Sequence, residues 1–194
     1  MFSLDSKLEL WFLVFIQLFI AIICPLALYI GWGGDTPWVF TVFIFLFPLF
    51  TTEHYLCRSK KCKYFIGFFS ISFFHFLSGF GLFTDIEYKT IVVILLINSI
   101  ILSIPWVLYV TIKDTFKLHF ALLFLSTTWL ALEYLNAQIN ILTPWYNLGN
   151  SLAGSIQLIQ WYEFTGVSGG TFWILLTNIL LFYSFQMLLK NNLK

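Results

Sequence analysis

The sequence predicts an all-α fold, a polytopic membrane helix bundle with about six transmembrane helices, a structured periplasmic loop and a short interfacial helix. Three observations predict it. Only 10% of the residues are charged against 60% hydrophobic, and mean hydropathy is +0.89. A soluble domain carries roughly 25% charge, so the solvent for most of this chain is lipid. Six apolar runs reach or approach the roughly 20 residues that cross about 30 Å of hydrocarbon. Nine of the ten Lys and Arg residues fall on one side when the connections are assigned to alternate faces of the membrane.

The first run, Leu10–Ile30, follows Lys7. It is longer than a signal-peptide core, and no small-residue cleavage pattern follows it, so it reads as a retained helix. Cys24, inside the run, reads as a small buried hydrophobe. The next runs are Trp38–Leu56, Tyr64–Phe83, Ile91–Ile112, Leu118–Leu135 and Gly170–Leu189. Lipid supplies no hydrogen bonds, so each span must satisfy its backbone internally and helices are expected throughout. Pro25, Pro48 and Pro105 lie inside runs and are expected to kink them. The whole chain, 1–194, reads as a single transmembrane domain.

Orientation follows from the cations. Lys7, Arg58, Lys60, Lys61, Lys63, Lys113, Lys117, Lys190 and Lys194 lie on one side, and Lys89 alone on the other. This asymmetry favours six spans with both termini cytoplasmic. It puts the connection Asn136–Gly169 on the opposite face. Net charge is +1, so nothing points to a nucleic-acid partner.

That connection carries the information. Trp129, Glu133 and Asn136 are spaced four and three apart and share a helical face. A carboxylate inside a membrane segment is costly and normally faces protein or water. The other reading of Glu133 is a helix-end residue in the headgroup zone. Then come Thr143, Pro144, Trp145, Tyr146, Asn147, Leu148, Gly149 and Asn150. Pro144 ends local helix, and Gly149 permits backbone that other residues avoid. Residues 156–164 are weakly amphipathic and suit the interface plane. Gly166, Gly169 and Gly170 allow close packing before the last helix, in which the amide of Asn178 requires a partner.

Trp129, Glu133, Pro144, Trp145, Leu148, Gly149, Asn150, Gln160, Trp161, Tyr162, Glu163, Phe164, Thr165, Gly166, Gly169, Gly170, Trp173 and Asn178 form an ordered series over about 50 residues. In this series the chain resembles apolipoprotein N-acyltransferase, particularly its Bacteroidetes-like version. The preceding 125 residues agree in helix count and hydropathy. Many members carry Arg where this chain has Asn136, so the resemblance implies no charge pair with Glu133.

The resemblance implies acyl transfer from a phospholipid to the N-terminal cysteine of lipoproteins, at the periplasmic face of the bacterial inner membrane. In the family the chemistry belongs to a nitrilase-like domain with a Glu base, a Lys and a nucleophilic Cys. This sequence contains no such domain, and Lys190–Lys194 stands where a basic cytoplasmic turn would precede it. The expectation is therefore a truncated or split form, not catalytic alone, with no catalytic residues of its own. Its implied partners are membrane phospholipid, a separate nitrilase-like catalytic chain and lipoproteins. The substrate-facing candidates carried over are Trp129, Glu133, Pro144, Trp145, Gly149, Asn150, Gln160, Trp161, Tyr162, Glu163 and Gly166. Structural packing and direct substrate contact both remain open for this set.

No metal or cofactor is expected. Cys57 lies among cations that can lower a thiol pKa, but on the cytoplasmic side. Cys57 and Cys62 could hold zinc only with two further ligands. His54, His75 and His119 lie on separate helices or helix ends. The alternative function is a small transporter or channel subunit, suggested by Glu133, Asn98 and Asn178.

Overall fold

A computed structural model describes residues 37–79, 88–139 and 147–192, with scattered positions between 15 and 30. The scattered positions are helical, and Cys24 is buried. The rest of the first expected span lies outside the described residues, as does the stretch 80–87.

The fold is an all-α membrane helix bundle, with no strand among the described residues. A 3-10 segment, Pro37–Phe43, leads into α1 (Leu46–Thr51), which ends in a π turn, Thr52–Leu56. Then follow α2 (Lys60–Gly79), α3 (Tyr88–Leu102), α4 (Ile104–Lys113) and α5 (Leu118–Ile139). A 3-10 turn, Leu148–Leu152, and the short α6 (Ile156–Ile159) lead to α7 (Tyr162–Asn192). Among the described residues four stretches are long and apolar enough to cross a membrane: Val39–Leu56, Val92–Lys113, Leu118–Gln138 and Tyr162–Lys190. The 20-residue α2 is a fifth long helix.

Two boundaries differ from the sequence reading. The fifth helix runs on to Ile139, because Glu133 and Asn136 are buried against protein and need no aqueous helix end. Helical structure resumes at Tyr162, but Gly166 divides it, so the unbroken part of the last helix starts after Gly166, shortly ahead of the expected Gly170; the stretch 156–164 expected at the interface is divided between α6 and the turn before Gly166. Gly166 breaks α7 at φ 65°, ψ −172°, a conformation essentially restricted to glycine.

Pro48 and Pro105 act where the sequence places them, and Pro25 lies outside the described residues. Pro105 sits in the first turn of α4, just after Ser103 separates it from α3. Pro48 occupies the third position of α1, where its missing N–H is one that no helix could satisfy anyway. The two N–H groups before it, on Leu46 and Phe47, both donate to Asn178 Oδ1, at 2.9 and 3.1 Å. The Asn178 Nδ2 donates to Val42 O at 3.3 Å and to Ile174 O in its own helix at 2.9 Å. One buried amide therefore satisfies a helix start that hydrocarbon could not, and joins α7 to two elements more than 130 residues earlier.

Packing builds on this joint. Phe50 stacks on Trp106 and meets Tyr109 and Phe182 edge-on or tilted. A Cβ at Gly67 would fall 1.9 Å from the Trp106 ring, so only glycine lets the indole lie against α2. There the indole Nε1 donates to Lys63 O at 2.9 Å.

Ion pairs collect at one end of the bundle. Glu53 is fully buried, bonded to Lys113 Nζ, 3.4 Å from Lys63 Nζ, and accepts from Tyr109 Oη at 3.3 Å. Lys60 pairs with Asp114 at 2.8 Å.

Substituting Asn178→Leu strands the N–H group of Leu46 in an apolar interior, while that of Phe47 keeps its bond to Ile44 O at 3.3 Å. A buried unsatisfied group costs on the order of 1–3 kcal/mol. Unfolding of the purified protein in detergent should show a loss of that order, with α1 and α7 losing hydrogen-exchange protection together.

Candidate functional site

The site is built where the far end of α5 meets the 3-10 turn and the start of α7. Glu133 lies fifteen residues into the 22-residue α5, about 22 Å from its start at 1.5 Å per residue. Its side chain is buried, 1% exposed. A carboxylate only accepts hydrogen bonds, and here three donors supply them. Trp129 Nε1, one turn back, donates to Oε1 at 3.0 Å. The backbone N–H of Leu148 donates to the same oxygen at 2.6 Å. Thr171 Oγ1 donates to Oε2 at 2.6 Å. These donors belong to α5, the 3-10 turn and α7.

The neighbouring contacts extend the joint. Gly149 N donates to Thr171 Oγ1 at 2.9 Å, so the threonine hydroxyl both gives and receives. Tyr162 Oη donates to Gly149 O at 2.8 Å. Gly149 is wedged against α7: a Cβ there would stand 2.1 Å from Val167 O. Gly170 has the same role toward Tyr162, whose Oη would lie 1.7 Å from an added Cβ. The glycines are needed because backbone, ring and helix approach within the radius of a methyl group.

Of the residues singled out in the sequence, Trp129, Glu133, Gly149 and Tyr162 come together in this network. Asn150 lies half-buried in the 3-10 turn beside them. Gly166 supplies the break that lets the first turn of α7 leave the line of the rest. Gln160 and Glu163 do not join: both are exposed. Trp161 is half-buried and donates its Nε1 to Leu158 O at 2.6 Å, within its own turn. Pro144 and Trp145 lie outside the described residues. Of the two readings of Glu133, its burial favours the carboxylate that faces protein over the headgroup residue.

Two functional side chains escaped the sequence reading. Thr171 completes the carboxylate's coordination; its signal was its spacing of seven from Asn178, which puts both on the buried stripe of α7 with Ile174, Leu175 and Phe182. Glu53 is a lone acid inside an apolar run, and the rule that singled out Glu133 applies to it equally.

Buried polar atoms remain around the carboxylate. Both side-chain polar atoms of Asn136, Asn147 Oδ1 and Ser151 Oγ are buried without a hydrogen-bond partner. Asn136 is one turn along α5 from Glu133, and Asn147 and Ser151 bracket the turn that holds Leu148.

Chemically the site is a brace. Both oxygens of Glu133 accept hydrogen bonds within the protein, and the hydroxyl beside them, Thr171 Oγ1, itself accepts from Gly149 N. Cys57 and Cys62 are joined in a disulfide with Cα atoms 5.5 Å apart. The bond removes Cys57 as a free thiol and both sulfurs as zinc ligands, a pairing that the sequence reading did not consider. His54 Nδ1 lies 3.4 Å from Lys113 Nζ. Among the described residues no group of three or more His, Cys, Asp or Glu is placed to hold a metal ion.

The apolipoprotein N-acyltransferase N-terminal domain family matches residues 26–180, which include the brace and the Asn178 joint. The chain belongs to this family. It is also similar to the apolipoprotein N-acyltransferase of Chlorobaculum tepidum, 30% identical over 90 residues, a match covering 46% of this chain and 17% of that protein. The match thus spans well under two thirds of the relative's length. No solved structure matches the chain significantly.

For this member of the acyltransferase N-terminal family, two glycine substitutions should separate sterics from torsion. Gly149→Ala drives a methyl into Val167 O and should part the turn from α7, lowering the yield of folded protein severely. Gly166→Ala meets nothing within 4 Å and should cost only about 1–3 kcal/mol of backbone strain. Thermal unfolding in detergent compares the two.

Proposed function

We propose that the chain is the membrane-embedded part of a lipoprotein N-acylation system, and that it works with a nitrilase-like catalytic domain. In this reading the Glu133 brace holds a floor on the extracytoplasmic side of a bacterial inner membrane. Membrane phospholipid reaches that floor as acyl donor and a lipoprotein as acceptor, while the catalytic domain supplies Glu, Lys and Cys.

The observation that carries the proposal is the brace itself, within the family-matched region. A carboxylate with three donors fixes the 3-10 turn against two long helices, and a fixed surface is what a catalytic domain needs for its substrate to be oriented. Beyond the brace the chain presents Gln160, Glu163 and Phe164 outward, with Phe164 86% exposed. Among the described residues these side chains make no intramolecular joint, and they are available to a partner. Membership of the family supports the reaction class. The distribution of cations supports cytoplasmic termini.

The transporter reading needs polar groups free to bind a solute. Asn178 and Glu133, two of the residues that suggested it, spend their hydrogen bonds inside the protein, which favours the scaffold.

Co-expression tests the proposal in a bacterium depleted of its own acyltransferase. Mass spectrometry of a lipoprotein's N-terminal peptide should find the added acyl chain only when this protein and a nitrilase-like catalytic domain are both present. Equal acylation by the catalytic domain alone, or none with both, contradicts it.

A further inference from the structure

The first turn of α2 is electrostatically unusual. Lys60, Lys61 and Lys63 occupy it, with no acidic residue in the turn. A helix N-terminus carries the positive end of the helix dipole, so cations there are disfavoured unless anions are brought to them. Two of the three are answered by the fold. Lys60 pairs with Asp114 and Lys63 with Glu53. Lys113, from α4, also uses Glu53. Lys61 has no carboxylate partner among the described residues and is exposed.

Lys61 stands at the end of an apolar groove. The groove holds about 440 Å³ and is lined by Lys61, Tyr64, Phe65, Phe68 and Val107, a volume within the range of small-molecule sites. Lys61, Tyr64, Phe65 and Phe68 follow the spacing of a single face of α2. Seven residues of helix separate Lys61 from Phe68, about 10 Å. Val107 closes the other wall from α4. That wall is fixed: Tyr64 Oη lies 3.1 Å from Thr111 Oγ1, and Trp106 Nε1 bonds Lys63 O. The groove is thus a shallow, open furrow between two joined helices, with an aromatic wall and one cation at its polar end that has no carboxylate partner among the described residues.

We propose that this groove binds one anionic phospholipid, with its phosphate on Lys61 and the upper part of one acyl chain along Phe65, Phe68 and Val107. Charge complementarity selects the headgroup. The phosphate supplies the negative charge that α2 lacks at its N-terminus, and the apolar walls select a lipid over a soluble anion. The site lies at the basic end of the bundle, the opposite end from the Glu133 brace. It does not depend on the proposed acylation role.

The test uses the full purified chain, delipidated in detergent and titrated with phosphatidylglycerol. Thermal stabilisation and co-purification, read by native mass spectrometry, should favour phosphatidylglycerol over phosphatidylcholine. Lys61→Gln should weaken phosphatidylglycerol retention about fivefold, the worth of one lysine beside an anionic headgroup. Lys60→Gln, which removes equal charge from a lysine already paired, should retain it. Val107→Trp, which fills the groove and leaves every charge, should lose it. Equal retention of phosphatidylcholine, equal loss in Lys60→Gln and Lys61→Gln, or equal stabilisation by glycerol phosphate alone would overturn the assignment.

Discussion

A carboxylate held out of water must be surrounded by donors, and the far end of this bundle depends on how Glu133 is surrounded. Helices in lipid gain little from hydrophobic burial against one another, because the hydrocarbon outside is as apolar as the neighbouring helix. What fixes their arrangement is close packing and polar groups that can be satisfied in a single way. Glu133 has such an arrangement: an indole from its own helix, a backbone amide from the 3-10 turn and a hydroxyl from the last helix. Gly149 and Gly170 follow from it, since the turn and the Tyr162 ring must come close enough for those bonds to form.

The same logic recurs twice. Asn178 meets the start of α1 just before a proline, where the Leu46 amide would otherwise face hydrocarbon. Glu53 meets two lysines and a tyrosine at the basic end. Breaking such a buried pair by removing one partner is far more costly than the pair itself is worth, because it leaves the other charge exposed to a medium that cannot solvate it. The bundle is therefore organised by three polar joints, and aromatic packing around Phe50 and Trp106 fills the space between them.

Much of this was legible in the sequence, in proportion to how local it is. Composition alone fixes the membrane environment. Residues spaced three and four apart revealed that Trp129, Glu133 and Asn136 share a face, and Trp129 does bond Glu133. Pro105 marked a break where the structure has one. The distant halves of the joints were not legible. Thr171 lies 38 residues from Glu133, and Leu46 lies 132 from Asn178; periodicity reaches only along a single helix. The expected start of the last helix, Gly170, falls four residues past the break at Gly166, because glycines that loosen a helix in isolation here permit it to pack. Motif membership was also a poor guide to burial, as exposed Gln160 and Glu163 sit in the same series as buried Trp129.

The central claim is that one carboxylate couples α5 to α7. A double-mutant cycle with Glu133→Gln and Thr171→Val measures that coupling through unfolding of the full chain in detergent. The brace predicts an interaction energy within the range of about 0.5–3 kcal/mol seen for side chains in one network. Effects that add to within about 0.3–0.5 kcal/mol, as for independent sites, would contradict it.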